Sequence, residues 1–85
     1  MVVHLLYFAW LRERIGRAEE EVALPPGVES VGALLTWLRG RGSPYDMALA
    51  ESARIRSAIN QDFAAPDARF KAGDEIALFP PITGG

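Results

Sequence analysis

The sequence predicts an α+β domain, a mixed sheet with one main helix packed on one face and an extended tail beyond the last strand. Three observations carry that prediction. The apolar runs at residues 2–8 and 75–79 alternate as strands do. Between them, Val31, Leu34, Leu35 and Leu38 recur at helical spacing and form one apolar stripe. After residue 79 the chain continues as Pro80-Pro81-Ile82-Thr83-Gly84-Gly85, a segment unsuited to sheet pairing.

Residues 2–8 divide into Val3, Leu5 and Tyr7 on one side and Val2, His4, Leu6 and Phe8 on the other. His4, the polar member, marks the second side as the outer one. Residues 9–15 carry Leu11 and Ile15 at i,i+4 and end at Gly16, which suits a short helix with a glycine stop. Residues 19–24 read as a second strand with Val22 and Leu24 inward, and the short connection implies an antiparallel pair with the first. Pro26-Gly27 fits the centre of a type II turn. Ser30 is the expected N-cap of the main helix, which residues 40–43 end. Ser43 and Pro44 are expected to start a shorter helix through Met47 and Leu49, with Pro44 at its first position. Residues 55–61 form the third strand, with Ile55, Ser57 and Ile59 on one face. Residues around Pro66 are read as irregular. In the last strand, residues 75–79, Ile76 and Leu78 face inward and Glu75, Ala77 and Phe79 outward.

A hairpin, a crossover helix and two further strands describe a β-grasp, or ubiquitin-like, roll, in which the first and last strands lie parallel and adjacent. That adjacency brings Phe8 and Phe79 together on the face no helix covers, and exposed aromatics of this kind mark partner sites. A slip of one residue in register would instead make both of them core.

Composition agrees with a single small domain, residues 1–79, followed by a tail, residues 80–85. A chain of 85 residues buries only about 60–65% of its unfolded surface, so it needs a dense core or a staple. The 49% hydrophobic content supplies the core. With no cysteine and one histidine, disulfides, thiol nucleophiles and soft metal sites are excluded. A formal net charge of −2 argues against a phosphate-neutralising nucleic-acid binder. The apolar amino terminus has no preceding Lys or Arg and is about half a bilayer span, so neither a signal nor a membrane anchor is expected. A soluble cytoplasmic protein is the expectation.

The tail has a physical reading of its own. Two prolines favour an extended path, and six residues reach roughly 20 Å. Two glycines without side chains let a terminal carboxylate enter a narrow channel.

The run from Gly73 through Glu75-Ile76-Ala77-Leu78-Phe79-Pro80-Pro81-Ile82-Thr83 to Gly84-Gly85 resembles the carboxy terminus of the MoaD family. These are the small sulfur-carrier subunits of molybdopterin synthase, part of the ubiquitin-like and ThiS-like sulfur carriers. Tyr7-Phe8-Ala9 with Leu11-Arg12-Glu13 and Gly16, and Ala58-Ile59-Asn60-Gln61, resemble that family as well. The resemblance implies a noncatalytic carrier that binds no cofactor or metal itself. An adenylating, MoeB-like partner would use ATP and Mg²⁺ to activate the carboxylate of Gly85, and a sulfur donor would convert it to a thiocarboxylate. A MoaE-like large subunit, in a heterotetramer, would receive the tail and supply the catalytic residues that pass sulfur to a cyclic pyranopterin precursor. Gly84 would let the terminus thread, and Pro80, Pro81, Ile82 and Thr83 would form the arm. Phe8, Phe63 and Phe79 would make the docking patch, with Arg12 at its rim.

Other features have plainer readings. His4 is a solvent-facing strand residue, Glu19-Glu20-Glu21 a solvated strand start, and Trp37 a flank of the core. Arg39-Gly40-Arg41-Gly42-Ser43 lacks phosphate-loop spacing and ends a helix. Competing functions share the glycine-ended tail: a carrier for thiamin or tRNA thiolation, a ubiquitin-like modifier of lysines, or an interaction module with an inert tail. Pro80-Pro81 favours the MoaD resemblance over the first two.

Overall fold

The computed structural model describes residues 1–81; Ile82, Thr83, Gly84 and Gly85 lie outside the described residues. Strict alternation makes the first strand. β1 (Val2–Tyr7) buries Val3, Leu5 and Tyr7 and turns Val2, His4 and Leu6 the other way. It stops one residue short of the expected end, because Phe8 is the N-cap of α1 (Ala9–Ile15) while keeping extended dihedrals. Ala9 enters that helix at φ 55°, a left-handed conformation that costs an L-residue about 1–2 kcal/mol. α1 buries Leu11 and Ile15 and ends at Gly16, whose φ of 89° lets its N–H reach the Arg12 carbonyl.

β2 (Glu19–Ala23) returns antiparallel to β1, with Val22 opposite Val3 and Glu20 opposite Leu5. The following turn closes with the Val28 N–H on the Pro25 carbonyl at 3.3 Å, and Gly27 takes the positive φ that a type II turn requires. Ser30 caps α2 (Val31–Arg39), its Oγ accepting from the Ala33 N–H at 3.3 Å. The predicted stripe of Val31, Leu34, Leu35 and Leu38 is the buried face of α2. Each leucine hidden this way stabilises the fold by roughly 1.5–3 kcal/mol.

α3 (Tyr45–Ala48) is a single turn in which Pro44 stands at the N-cap and not at the first helical position. A 3-10 turn (Ser52–Arg54) leads into β3 (Arg56–Ile59). The strand expected over residues 55–61 is shorter because Asn60 and Gln61 adopt positive φ, 50° and 73°. These two residues form a tight hairpin into β4 (Asp62–Ala64), a strand beyond the four that the sequence predicts. Two consecutive left-handed residues suit the twist of a two-residue hairpin, and Asn tolerates that region, but Gln lacks the usual glycine signal. β5 (Glu75–Phe79) completes the sheet.

Sheet order is β2-β1-β5-β3-β4. β5 runs parallel to β1, with Leu5 beside Ile76 and Tyr7 beside Leu78, and antiparallel to β3. This is the β-grasp, ubiquitin-like architecture. Leu5, Leu11, Leu34, Leu38, Leu49, Ile76 and Leu78 are fully inaccessible between the sheet and the helices.

Candidate functional site

Because the helices cover one face, the outward residues of each strand form a second, open surface. Across it the register aligns Glu19, Leu6, Ala77, Ala58 and Phe63, one from each strand. Arg56 lies opposite Phe79 in the adjoining row. Phe63 is 87% exposed and its ring centroid is 6.0 Å from that of Phe79. Ala58 is only 8% exposed although it lies on this uncovered face and outside the main core. Its neighbours in register are Phe63 and Ala77.

Phe8 is exposed at the end of β1, and its N–H donates to the Leu78 carbonyl at 3.1 Å, which places it at the exit end of β5. The ring packed on Phe79 is nevertheless that of Phe63, so the aromatic pair spans β4 and β5 where Phe8 with Phe79 was expected. Arg12 is exposed one helical turn beyond Phe8, its backbone N–H directed at the Phe8 carbonyl. Pro80 and Pro81 are half-buried and line a groove on the helix side with Trp10, Arg14, Met47 and Arg54. The extended arm therefore begins against the domain. The expected site residues Ile82, Thr83, Gly84 and Gly85 fall outside the described residues.

An apolar face at the root of a glycine-ended arm, on a β-grasp, is a specific combination. Residues 5–85 match the ThiS family. The chain belongs to the ThiS family. Within that family it is 36% identical to the molybdopterin synthase sulfur carrier subunit of Escherichia coli, over 99% of this chain and all of that one. Against the subunit of the same name from Haemophilus influenzae, identity is again 36%, with 99% and 100% covered. Among solved structures it is similar to the small archaeal modifier protein 1 of Haloferax volcanii, with 30% identity and a TM-score of 0.74. That match covers 95% of this chain and 98% of the other.

Two polar networks brace the sheet of this ThiS-family chain, one at the start of β5 and one on the helix-covered side. Asn60 donates to Asp74 Oδ1 at 3.1 Å and accepts the Glu75 N–H at 3.0 Å, while the Lys71 N–H reaches Asp74 Oδ2 at 2.9 Å. The Lys71 N–H, and after it the Asn60 amide, hold the Asp74 carboxyl below the usual carboxylate range. Asn60 thus fixes the start of β5 against the β3–β4 hairpin.

The second network corrects the reading of Glu19-Glu20-Glu21 as a solvated run. The Glu20 side chain is 6% exposed. It accepts from the Tyr7 hydroxyl at 2.7 Å and the Tyr45 hydroxyl at 2.6 Å, and pairs with Arg17 and Arg41 at 3.2 and 3.4 Å. Burial by itself would raise the Glu20 pKa, but the two phenols and the guanidinia outweigh it and leave the carboxyl below its ordinary value. Burial, then the same carboxylate, pushes both phenols up. Arg41 also lies over the rings of Tyr45 and Trp37. His4 is half-exposed with its Nε2 3.1 Å from Glu19 Oε1. Among the described residues, no group of three or more His, Asp or Glu side chains could hold a metal ion, and no helix is long and apolar enough to cross a membrane.

Proposed function

We propose that this chain carries sulfur for molybdopterin synthesis, with the sulfur held as a thiocarboxylate at Gly85. The observation that supports the reading is the Phe63–Phe79 pair, an exposed aromatic patch at the point where β5 passes into the Pro80-Pro81 arm. Such a patch lets a partner grip the domain while the slim terminus enters that partner's active site.

The chemistry is a substitution at one carbonyl carbon. A free carboxylate is a poor electrophile, so an adenylating partner, which holds the ATP and Mg²⁺, joins a Gly85 oxygen to the α-phosphate and expels pyrophosphate. A donor of sulfide-level sulfur then attacks the acyl carbon through that sulfur, AMP leaves with the activated oxygen, and the new C–S bond in place of the C–O bond is the thiocarboxylate. The large subunit receives the arm, and its catalytic residues move the sulfur to the pyranopterin precursor; water restores the carboxylate. Phe8, Phe63 and Phe79 dock, Arg12 contacts the rim, Pro80 to Thr83 span the channel and Gly84 passes its narrowest point. Two carriers on two large subunits make the proposed heterotetramer. Because ATP drives the cycle, the proposed compartment is the cytoplasm.

Incubation with the adenylating enzyme, ATP and a sulfur donor raises the intact mass by about 16 Da, oxygen exchanged for sulfur. An unchanged mass under conditions that charge a control carrier refutes the proposal. The likeness to the archaeal modifier supports a second reading, in which a lysine amine attacks the same acyl-adenylate and forms an isopeptide. Covalent conjugates on immunoblots of cell extracts, absent when the terminal glycines are deleted, would establish that activity.

A further inference from the structure

We propose that Arg14, Arg54 and Arg56 form a cationic collar around the tail root that steers the carrier onto an acidic channel mouth of its adenylating partner. This rests on the sulfur-carrier reading and goes beyond it in naming a second surface and the charge of what it meets.

The collar lies on both sides of residues 79–81. Arg56 is the register partner of Phe79 and lines the same hollow on the open face as Phe63. Arg14 and Arg54 line the groove on the helix side together with Pro80 and Pro81. Among the described residues, Arg14 and Arg56 make no ion pair; the guanidinium of Arg14 is parked over the Trp10 ring at 4.4 Å. Arg54 pairs with Glu51, the one carboxylate in that groove, at 3.2 Å, but both are about two-thirds exposed and stay available to an incoming charge. This positive ring stands out on a chain whose net charge is −2.

Its placement decides its use. A carrier that is charged, unloaded and recharged must meet its activating enzyme quickly and leave it quickly. Charge around the entry point raises the association rate without slowing release, whereas apolar contact mainly slows release. The aromatic face suits the lasting complex, and the collar suits the encounter that threads the tail.

The test compares Arg14→Gln/Arg56→Gln with Arg69→Gln/Lys71→Gln, which removes equal charge near the opposite end of β5. Thermal melts check folding. Stopped-flow binding to the adenylating enzyme is measured from low to high salt, with intact mass after charging. The collar variant is expected to associate about tenfold more slowly at low salt, with a flatter salt dependence and dissociation within about twofold of wild type. It should still gain the 16 Da mass at saturating enzyme. Equal slowing in both variants, or none in either, overturns the collar while charging of wild type leaves the sulfur-carrier reading intact. Salt-dependent binding by a wild type that never gains mass does the reverse, and a wild type that does not bind overturns both.

Discussion

The ring of Phe63 sits 6.0 Å from the ring of Phe79, tilted 59° to it, although β3 separates the two strands that carry them. The small Ala58 on the intervening strand leaves room for the rings to meet above it. The pair is a ready-made anchor, because its area is already assembled before any partner arrives.

Replacing Phe63 by Ala tests whether that anchor serves docking or folding. With 87% of the residue exposed, the expected loss of stability is under about 1.5 kcal/mol, the scale of one aromatic pair. Affinity for the large subunit should fall about tenfold or more. Urea unfolding and calorimetric titration read the two effects separately. Unchanged affinity would remove Phe63 from the docking surface.

Phe79→Asp places a charge where a partner must exclude water, and an unpaired desolvated charge is costly. The variant should keep its circular dichroism spectrum and lose detectable binding to the large subunit. Unfolding of the variant would show that Phe79 belongs to the core.

Glu20→Gln removes the charge at the junction of Tyr7, Tyr45, Arg17 and Arg41. The expected cost is about 1–3 kcal/mol in urea unfolding at pH 7, the range for a charge-assisted bonded group. The pH dependence has a definite sign. The folded-state pKa of Glu20 is lowered, so its contribution is present above the unfolded value of 4.5 and is lost as pH falls through the folded one. Tyr7 and Tyr45 are raised above 10.0, so theirs is complete below pH 10 and is lost as pH rises beyond it. Wild type should therefore lose stability below about pH 4.5 more steeply than Glu20→Gln. Parallel acid limbs would place the ionisation elsewhere.

Gly16 and Ala9 make a paired test of backbone strain at the two ends of α1. A Cβ at Gly16 meets nothing within 4 Å, so Gly16→Ala reports the positive φ alone, with an expected loss of about 1 kcal/mol. Ala9→Gly relieves the φ of 55° and should gain up to about 1 kcal/mol. Both follow from chemical denaturation, and equal signs for the two would contradict the assigned dihedrals.

Adding one residue after Gly85 separates a reactive terminus from an inert arm. The extended chain should bind the large subunit through the aromatic face and show no mass gain with the adenylating enzyme, ATP and sulfur donor. Normal charging of the extended chain would count against the thiocarboxylate.

By itself, the sequence determined what neighbouring residues decide. The alternation in β1 and β5, the stripe on α2, the Ser30 cap and the Gly16 stop were all legible, since each depends on spacing within a few positions. The outer placement of Phe79 followed from the same parity. Tertiary structure alone decided the rest. β4 was hidden because three residues carry too little periodicity, and Asn60-Gln61 is an uncommon hairpin centre. The partner of Phe79 proved to be Phe63, and Glu20 proved to be buried, because chain closure brings Tyr7 and Tyr45 to it from 13 and 25 residues away. Local patterning selects which face a side chain takes; only the closed sheet and its packed helices determine what that side chain meets there.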